Sequence, residues 1–404
     1  MQQKIVWKKI THAINKDNDL LMMYRPCPIC KHDNSKTVLT LDNFQFFTDS
    51  DSPKQTDIIQ KQCQNCGAIY LNPCYSKKGF SILFKEAGQS YGSTTQRPNE
   101  QSQWLKKHNL LHPHVTVMDI GCGIGNLLAS LPENISKIGV DIDNASIEYA
   151  RTQHETINFV CSDFEDIEIN QTVDVITMYH VLEHLANPLE TLQRLFHISE
   201  DTTKLVVEVP IIENGLTNDI NGFFSVQHLT HFSRNSFKNI LTLSGWQVLE
   251  WDEQKDYNGC RVLAQKTKSS KTINTDYTQQ SLVYMYLEKW YNSISIAEKR
   301  LQNIDTKYCL IWGGGMHLEF IYQISSLFHK DIEFIIVDKD KTKQNKTWRG
   351  INIYDPSIIS DIQNKDFYCI ASSYRNQESI KHELIDYGFD EKRIVTLYDY
   401  VNVY

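Results

Sequence analysis

Residues 115–126 read VTVMDIGCGIGN. An apolar run ends in Asp119, glycines follow at the alternate positions Gly121, Gly123 and Gly125, and NLLASL then resumes with a helical pattern. A short apolar run that breaks at glycines and restarts as a helix is the first β-turn-α of an open α/β sheet. Glycine accepts positive φ and lets a ligand approach the backbone. The spacing is D-x-G-x-G-x-G, not the G-x-G-x-x-G turn that seats a pyrophosphate on a helix N-terminus. Two further strands end in acids. KIGVDID places Asp141 about twenty residues beyond Asp119, where a ribose-binding carboxylate belongs. INFVCSD ends at Asp163, with Phe164 next. Taken singly, each aspartate reads first as a loop or helix-cap residue. Three acids at three successive strand ends read as one cofactor site.

That turn resembles motif I of the class I S-adenosylmethionine (SAM) methyltransferases. SAM presents an ammonium and a sulfonium instead of a phosphate, and Asp119 suits the ammonium, directly or through water. The resemblance implies that Asp163 meets the adenine amino group and that Phe164 packs on the ring. Ile142, beside Asp141, and Tyr179, ending the fourth strand, are further expected cofactor contacts. Tyr91 has two readings, a cover over the cofactor or an ordinary surface-loop tyrosine.

The chain has 404 residues, 41% apolar and 22% charged, enough for two or three domains with sizeable cores. No apolar run approaches the ~20 residues of a membrane span, and the N-terminus lacks the apolar core of a signal peptide. The expected location is the cytoplasm. Ten cysteines, four of them in two C-x-x-C pairs, fit reduced thiols and a metal better than disulfides. A net charge of −8 gives no electrostatic footprint for nucleic acid.

Along the chain, 1–80 reads as an arm and a zinc-binding module. Cys27 and Cys30 in CPIC, with Cys63 and Cys66 in CQNCG, supply four soft ligands for a closed, structural Zn²⁺ site. The LDNFQFFTDSDSPKQTD between them reads as a hairpin or lid. Residues 81–266 read as the SAM-dependent domain. In it, VDVITMYHVLEHL carries His180, Glu183 and His184. It fits H-x-x-E-H, but the zinc-protease pattern needs both histidines on one helical face. Here His180 sits at a strand tip and His184 in the following turn. After the fifth strand, QHLTHFS carries His228 and His231. Residues 267–304 read as a linker and one amphipathic helix, with Leu282, Met285, Leu287, Trp290 and Ile294 facing a core. Residues 305–404 begin again as α/β, with KYCLIWGGG and a second strand ending in Asp338. The expected fold class is therefore α/β: a class I SAM methyltransferase domain flanked by a zinc module and a second, Rossmann-like domain.

This order resembles the sugar C-methyltransferases of deoxysugar biosynthesis over nearly the whole chain. The likeness is carried by CPIC and CQNCG, SYGS, DIGCGIGN, VLEHL, VVEVP, QHLTHFS, NGCRVLA, IWGGG and VDKDKTKQNKTWRGINIYDP. It implies a nucleotide-linked keto sugar as substrate, His228 as the leading candidate base, and a C-terminal domain that helps hold the nucleotide. His228 also reads as a core or capping histidine, and Glu183 and His184 as loop-orienting or chemical. His180 and His231 complete the candidate catalytic set. The chain departs from the family where Gln227 replaces a glutamate, His231 a tyrosine and Asn258-Gly259-Cys260 a glycine pair, and where the zinc module lacks the family's proline- and alanine-rich turn between its cysteine pairs. Transfer to carbon, oxygen or nitrogen fits the same donor site. A carbon acceptor needs a proton removed beside a carbonyl, a hydroxyl needs a base, and an amine needs little beyond alignment. Some ribosomal-RNA base methyltransferases also join a zinc knuckle to this fold, but the acidic balance argues against RNA.

Overall fold

The computed structural model describes residues 5–12, 21–46, 54–80, 97–163, 172–214, 218–220, 226–253, 257–267, 272–273, 278–362 and 364–401. Tyr91 and Phe164 lie outside the described residues.

The N-terminal module comprises β1 (Met22–Met23), β2 (Ser35–Phe46), β3 (Lys54–Cys63), β4 (Ile69–Leu71) and β5 (Cys74–Tyr75). β2 and β3 form the long antiparallel hairpin expected between the cysteine pairs, and β4 continues the sheet. The arm before it does not stay with this module. Lys8 bridges to Phe334 and Trp7 packs on Tyr308 and Phe367, so residues 5–12 lie on the C-terminal domain.

The middle domain contributes β6 (Thr116–Ile120), β7 (Ser136–Asp141), β8 (Asn158–Cys161), β9 (Val175–Tyr179), β10 (Lys204–Pro210), β11 (Thr230–His231), β12 (Trp246–Glu253) and β13 (Gly259–Lys266). Seven of them form one sheet in the order β8-β7-β6-β9-β10-β13-β12. Pairing is parallel except at β13, which runs against both β10 and β12. Central strands covered on both faces need apolar residues at every position. In β6, Val117, Met118 and Ile120 are accordingly all buried. Each such side chain contributes about 1.5–3 kcal/mol of burial. Asp119 breaks this pattern and is itself only 5% exposed.

β11 leaves the domain and pairs antiparallel with β4 of the N-terminal module. Ser233 ends that excursion: its side chain caps the helix Arg234–Ser244, reciprocated by Ser236. The core under one face of the seven-stranded sheet runs on into the cysteine knuckles, joining Leu182, Leu189 and Phe232 to Cys27, Ile29, Cys63 and Cys66.

The helix Thr278–Leu301 follows. Its buried stripe is Val283, Tyr286, Leu287, Trp290, Ala297 and Leu301, a three-to-four spacing. Met285 falls off this stripe and is 55% exposed, which corrects its expected core position. The C-terminal domain comprises β14 (Tyr308–Trp312), β15 (Glu333–Val337), β16 (Thr347–Trp348), β17 (Ile351–Tyr354), β18 (Tyr368–Ala371) and β19 (Ile394–Thr396). Their order is β16-β17-β15-β14-β18-β19. A fully buried Glu319–Arg349 pair anchors the β2–β3 hairpin to this domain, since Glu319 also accepts the Gln45 amide at 3.0 Å. Among the described residues, no helix is long and apolar enough to cross a membrane.

Candidate functional site

A cavity of about 320 Å³ opens where β6, β7 and β9 end. Gly121, Gly123, Asp141, Asp163, His180 and His184 line it, with Ile142 beside Asp141. The first turn is drawn against the sheet, because the Gly121 amide donates to Val140 O at 2.8 Å. Gly123 has φ +54, and a Cβ there would meet nothing within 4 Å. The open space is the cavity itself, so the backbone is bare where a ligand would lie. Gly125 differs in kind: a Cβ there would meet the Phe159 ring at 2.5 Å, so this glycine lets the helix Asn126–Ser130 pack close.

Asp141 accepts the Gly123 amide on Oδ2 at 2.8 Å and the Asp143 amide on Oδ1 at 2.9 Å. Burial raises its carboxyl above the usual range. Each oxygen keeps a further lone pair, which matches a ribose diol. Asp119 is not in the lining. It sits beneath the turn, where the Thr177 hydroxyl donates to Oδ1 at 2.6 Å and burial pushes its carboxyl up to about 7. Tyr179 is also outside the lining, with its ring beneath the Arg261 guanidinium at 5.2 Å. The cavity thus brings together Gly121, Gly123, Asp141, Ile142 and Asp163 of the expected cofactor contacts, and leaves Asp119, Gly125 and Tyr179 behind it. The bare Gly123 backbone and the desolvated Asp141 carboxylate fit SAM.

The other side of the cavity carries histidines and buried carboxylates. His180 adopts φ +55, a left-handed conformation that is costly outside glycine. Its Nδ1 lies 3.2 Å from Glu183 Oε1 and its Nε2 3.1 Å from Glu208 Oε1, with the Tyr257 hydroxyl also on Nε2. Burial lowers the His180 imidazole, but these two carboxylates outweigh it and hold it above its usual range. Burial likewise works to raise Glu183 and Glu208, yet their cationic partners, His180 first, bring both down to about 2.

His184 lies on the short helical turn Leu182–His184. Its Nδ1 donates to the Gln227 carbonyl at 2.9 Å, which places the lone pair on Nε2, 3.9 Å from Glu183 Oε1. The His228 ring stands 5.0 Å from the His184 ring, and burial pushes its imidazole down to about 3. Ligand atoms of Glu183, His184 and His228 lie within 4.8 Å of one another. His231 does not join them. It is 3% exposed and its Nε2 pairs with Gln60 Oε1 at 3.0 Å, because β11 turns this ring into the N-terminal sheet.

Sequence reasoning missed Glu208 and Arg261. Arg261 Nε donates to Glu208 Oε2 at 2.6 Å and its other nitrogens grip Glu100, so the pair braces His180 from behind. A charge in the middle of the apolar strands VVEVP and CRVLA was the available signal.

The four knuckle thiols form a compact group. Cys27 Sγ and Cys66 Sγ are 3.6 Å apart, Cys30 Sγ and Cys63 Sγ 3.5 Å, and all four lie within 4.8 Å. A Zn–S bond of about 2.3 Å gives tetrahedral edges of about 3.8 Å. The knuckles match: the Lys31 and Gly67 amides, both at positive φ, donate to the Cys27 and Cys63 carbonyls at 2.9 and 3.0 Å. The donor set fits a structural zinc.

Residues 91–250 match a family described as methyltransferase domain, and 305–395 one described as C2185-like, N-terminal. The first match, on the sheet and turn described above, makes that region a class I SAM-dependent methyltransferase domain. The protein described as methyltransferase 235L of Invertebrate iridescent virus 6 is 27% identical over 150 residues, covering 35% of this chain and 57% of that protein. The malonyl-acyl-carrier-protein O-methyltransferase of Anoxybacillus flavithermus is 28% identical over 117 residues, covering 28% of this chain and 45% of that protein. The chain therefore spans about half the length of these relatives. Magnesium protoporphyrin IX methyltransferase of Synechocystis, solved with bound S-adenosylhomocysteine, aligns with 48% of this chain and all of its own at TM-score 0.37 and 16% identity.

Proposed function

We propose that this chain methylates a nucleotide-linked sugar with SAM as donor, at carbon beside a keto group, in surface-polysaccharide or deoxysugar biosynthesis. The observation that carries the reading is the two-sided cavity: bare glycine backbone and carboxylates on one side, a histidine–glutamate group on the other. SAM, when bound, supplies an activated methyl on a sulfonium. Asp141 and Asp163 would hold its ribose and adenine, and Cys27, Cys30, Cys63 and Cys66 would hold the zinc. The chain's remaining task is to orient the acceptor and remove its proton. Glu208, Glu183 and Tyr257 pin His180, so it orients. His228 is the base: its ring stands 5.0 Å from that of His184, which lines the cavity. The sugar class is supported by the likeness of sequence motifs along the chain.

The test is incubation with SAM and a nucleotide-linked keto sugar, read by mass spectrometry. A methylated sugar is expected, with exchange of the acidic C–H into deuterated solvent before SAM is added. Methylation without that exchange favours oxygen or nitrogen, and methylation of a free small acceptor by residues 1–304 alone overturns the nucleotide-sugar reading. A second reading is favoured by the close approach of Glu183, His184 and His228: two histidines and a carboxylate also suit a divalent cation. Loss of turnover to a chelator while zinc stays bound would select it.

A further inference from the structure

Arg25 is 8% exposed and lies two residues before the first zinc ligand, Cys27. Its guanidinium spans two loops. One terminal nitrogen donates to the Ala186 carbonyl, and the other to the Leu229 carbonyl at 2.6 Å. Its face lies toward the Tyr70 ring, 5.8 Å away. Among the described residues it meets carbonyl oxygens and this ring but no carboxylate. A buried cation without an opposite charge is strongly unfavourable. The knuckle begins two residues on, at Cys27, and Zn²⁺ with four thiolates would carry a net charge of two minus.

Those two loops are the acceptor side. Ala186 follows Glu183 and His184, and Leu229 follows His228. They are also tied to each other: the Leu229 amide donates to the Glu183 carbonyl at 2.8 Å, and His184 Nδ1 to the Gln227 carbonyl at 2.9 Å. The Leu229 carbonyl accepts the Leu71 amide of the zinc-module sheet at 3.0 Å as well as Arg25. The peptide before His228 is thereby held by His184 and the one after it by the Glu183 carbonyl, and the next carbonyl, of Leu229, is held by Leu71 and Arg25 of the N-terminal module. Nothing in this chain of contacts touches Gly121, Gly123 or Asp141.

We propose that Arg25 is a positioning residue: the zinc tetrathiolate is its counter-charge, and through it the N-terminal module holds the Glu183–His184 and His228 loops on the histidine side of the cavity, opposite the glycine turn. The inference rests on the acceptor side being the histidine side, as proposed above. Its test therefore includes readouts that need no acceptor. Arg25→Met in the zinc-loaded protein should speed hydrogen exchange in 182–186 and 226–229 by about tenfold or more, leaving 119–126 protected. Affinity for S-adenosylhomocysteine should stay within about twofold, since the carbonyls that Arg25 holds belong to Ala186 and Leu229 and not to the glycine turn. With cobalt in place of zinc, the thiolate-to-metal charge-transfer band should move to lower energy in Arg25→Met and return in Arg25→Lys. Arg25→Lys keeps the charge but loses the fork, so its loops should still exchange fast. With an active acceptor, kcat should fall about ten- to a hundredfold in either variant, with the KM for SAM unchanged.

If Arg25→Met does not fold, the lysine variant carries the exchange test and the cobalt band is compared with wild type. Wild-type exchange in both loops overturns the proposal. So does faster exchange across 119–126 with lost S-adenosylhomocysteine binding, which marks a general packing role. Failure to find any acceptor leaves the exchange and cobalt results standing, so it bears only on the proposed reaction.

Discussion

At the end of β6 the Gly121 amide donates to Val140 O at 2.8 Å, and at the end of β14 the Gly313 amide donates to Val337 O at 2.8 Å. Gly123 then donates to Asp141 Oδ2 at 2.8 Å, and Gly314 to Asp338 Oδ2 at 2.8 Å. The other oxygen of each aspartate accepts the amide two residues on, from Asp143 at 2.9 Å and from Asp340 at 2.8 Å. The two α/β regions thus share one hydrogen-bond frame. They differ in what lies beyond it. A Cβ on Gly123 would enter open cavity, whereas one on Gly314 would meet Ile353 at 2.8 Å and Ile336 at 3.2 Å. In the second region Lys343 also stands over the turn, 3.7 Å from Asp338 and 3.4 Å from Asp340. Backbone frame alone does not make a cofactor site. Both turns are drawn against their sheets, but the backbone at Gly123 faces open cavity, while Ile353, Ile336 and Lys343 close over the second turn.

The comparison can be broken most forcefully through zinc. Structural zinc is worth ~10–16 kcal/mol in small zinc modules. Cys63→Ser should lose the ion by metal analysis and expose the N-terminal hairpin and the acceptor loops, while the C-terminal sheet keeps its protection. Full zinc retention in that variant would sink the four-cysteine assignment. Next comes the pair of matched aspartates. Asp141→Ala should weaken SAM binding by ~1–3 kcal/mol, the scale of hydrogen bonds to a charged group. Asp338→Ala should leave it unchanged, and equal losses by calorimetry would put the cofactor elsewhere. The glycines sharpen the contrast further. Gly123→Ala should cost SAM affinity, and Gly314→Ala should cost stability instead, by about 1–3 kcal/mol from overpacking against Ile353 and Ile336. The smallest effect belongs to Lys343→Ala. This partly exposed pair is worth about 0–1 kcal/mol, so thermal denaturation should barely move.

The glycine turn and Asp141 were legible because they are local: a strand end, a turn and an acid within some twenty-five residues of sequence. The cysteine knuckles were legible for the same reason, and so was the hairpin they enclose. What escaped was long-range. No pattern around Arg25 announces that its guanidinium reaches Leu229, 204 positions away. His231 reads as a companion of His228 by spacing, but the pairing of β11 with β4 sends its ring to Gln60. Met285 satisfied an apolar period that the chosen stripe, on Val283 and Leu287, did not need. Asp119 reads as an ammonium ligand from its place in the motif, and what the motif does not show is that it lies beneath the turn with the Thr177 hydroxyl on Oδ1. Periodicity and motif spacing report which side chains share an element, not which neighbours the fold brings to them.

The central claim is that the cavity over Gly123 delivers a methyl from SAM toward the histidine side. The direct measurement is single-turnover methyl transfer to a nucleotide-linked keto sugar by wild type and His228→Ala, with SAM affinity determined on the same preparations. The account predicts transfer by wild type and a loss of roughly 10²–10⁴ in rate for His228→Ala at unchanged SAM affinity. Near-normal transfer by the variant would contradict the base assignment, and absence of SAM binding to the wild-type protein would contradict the account as a whole.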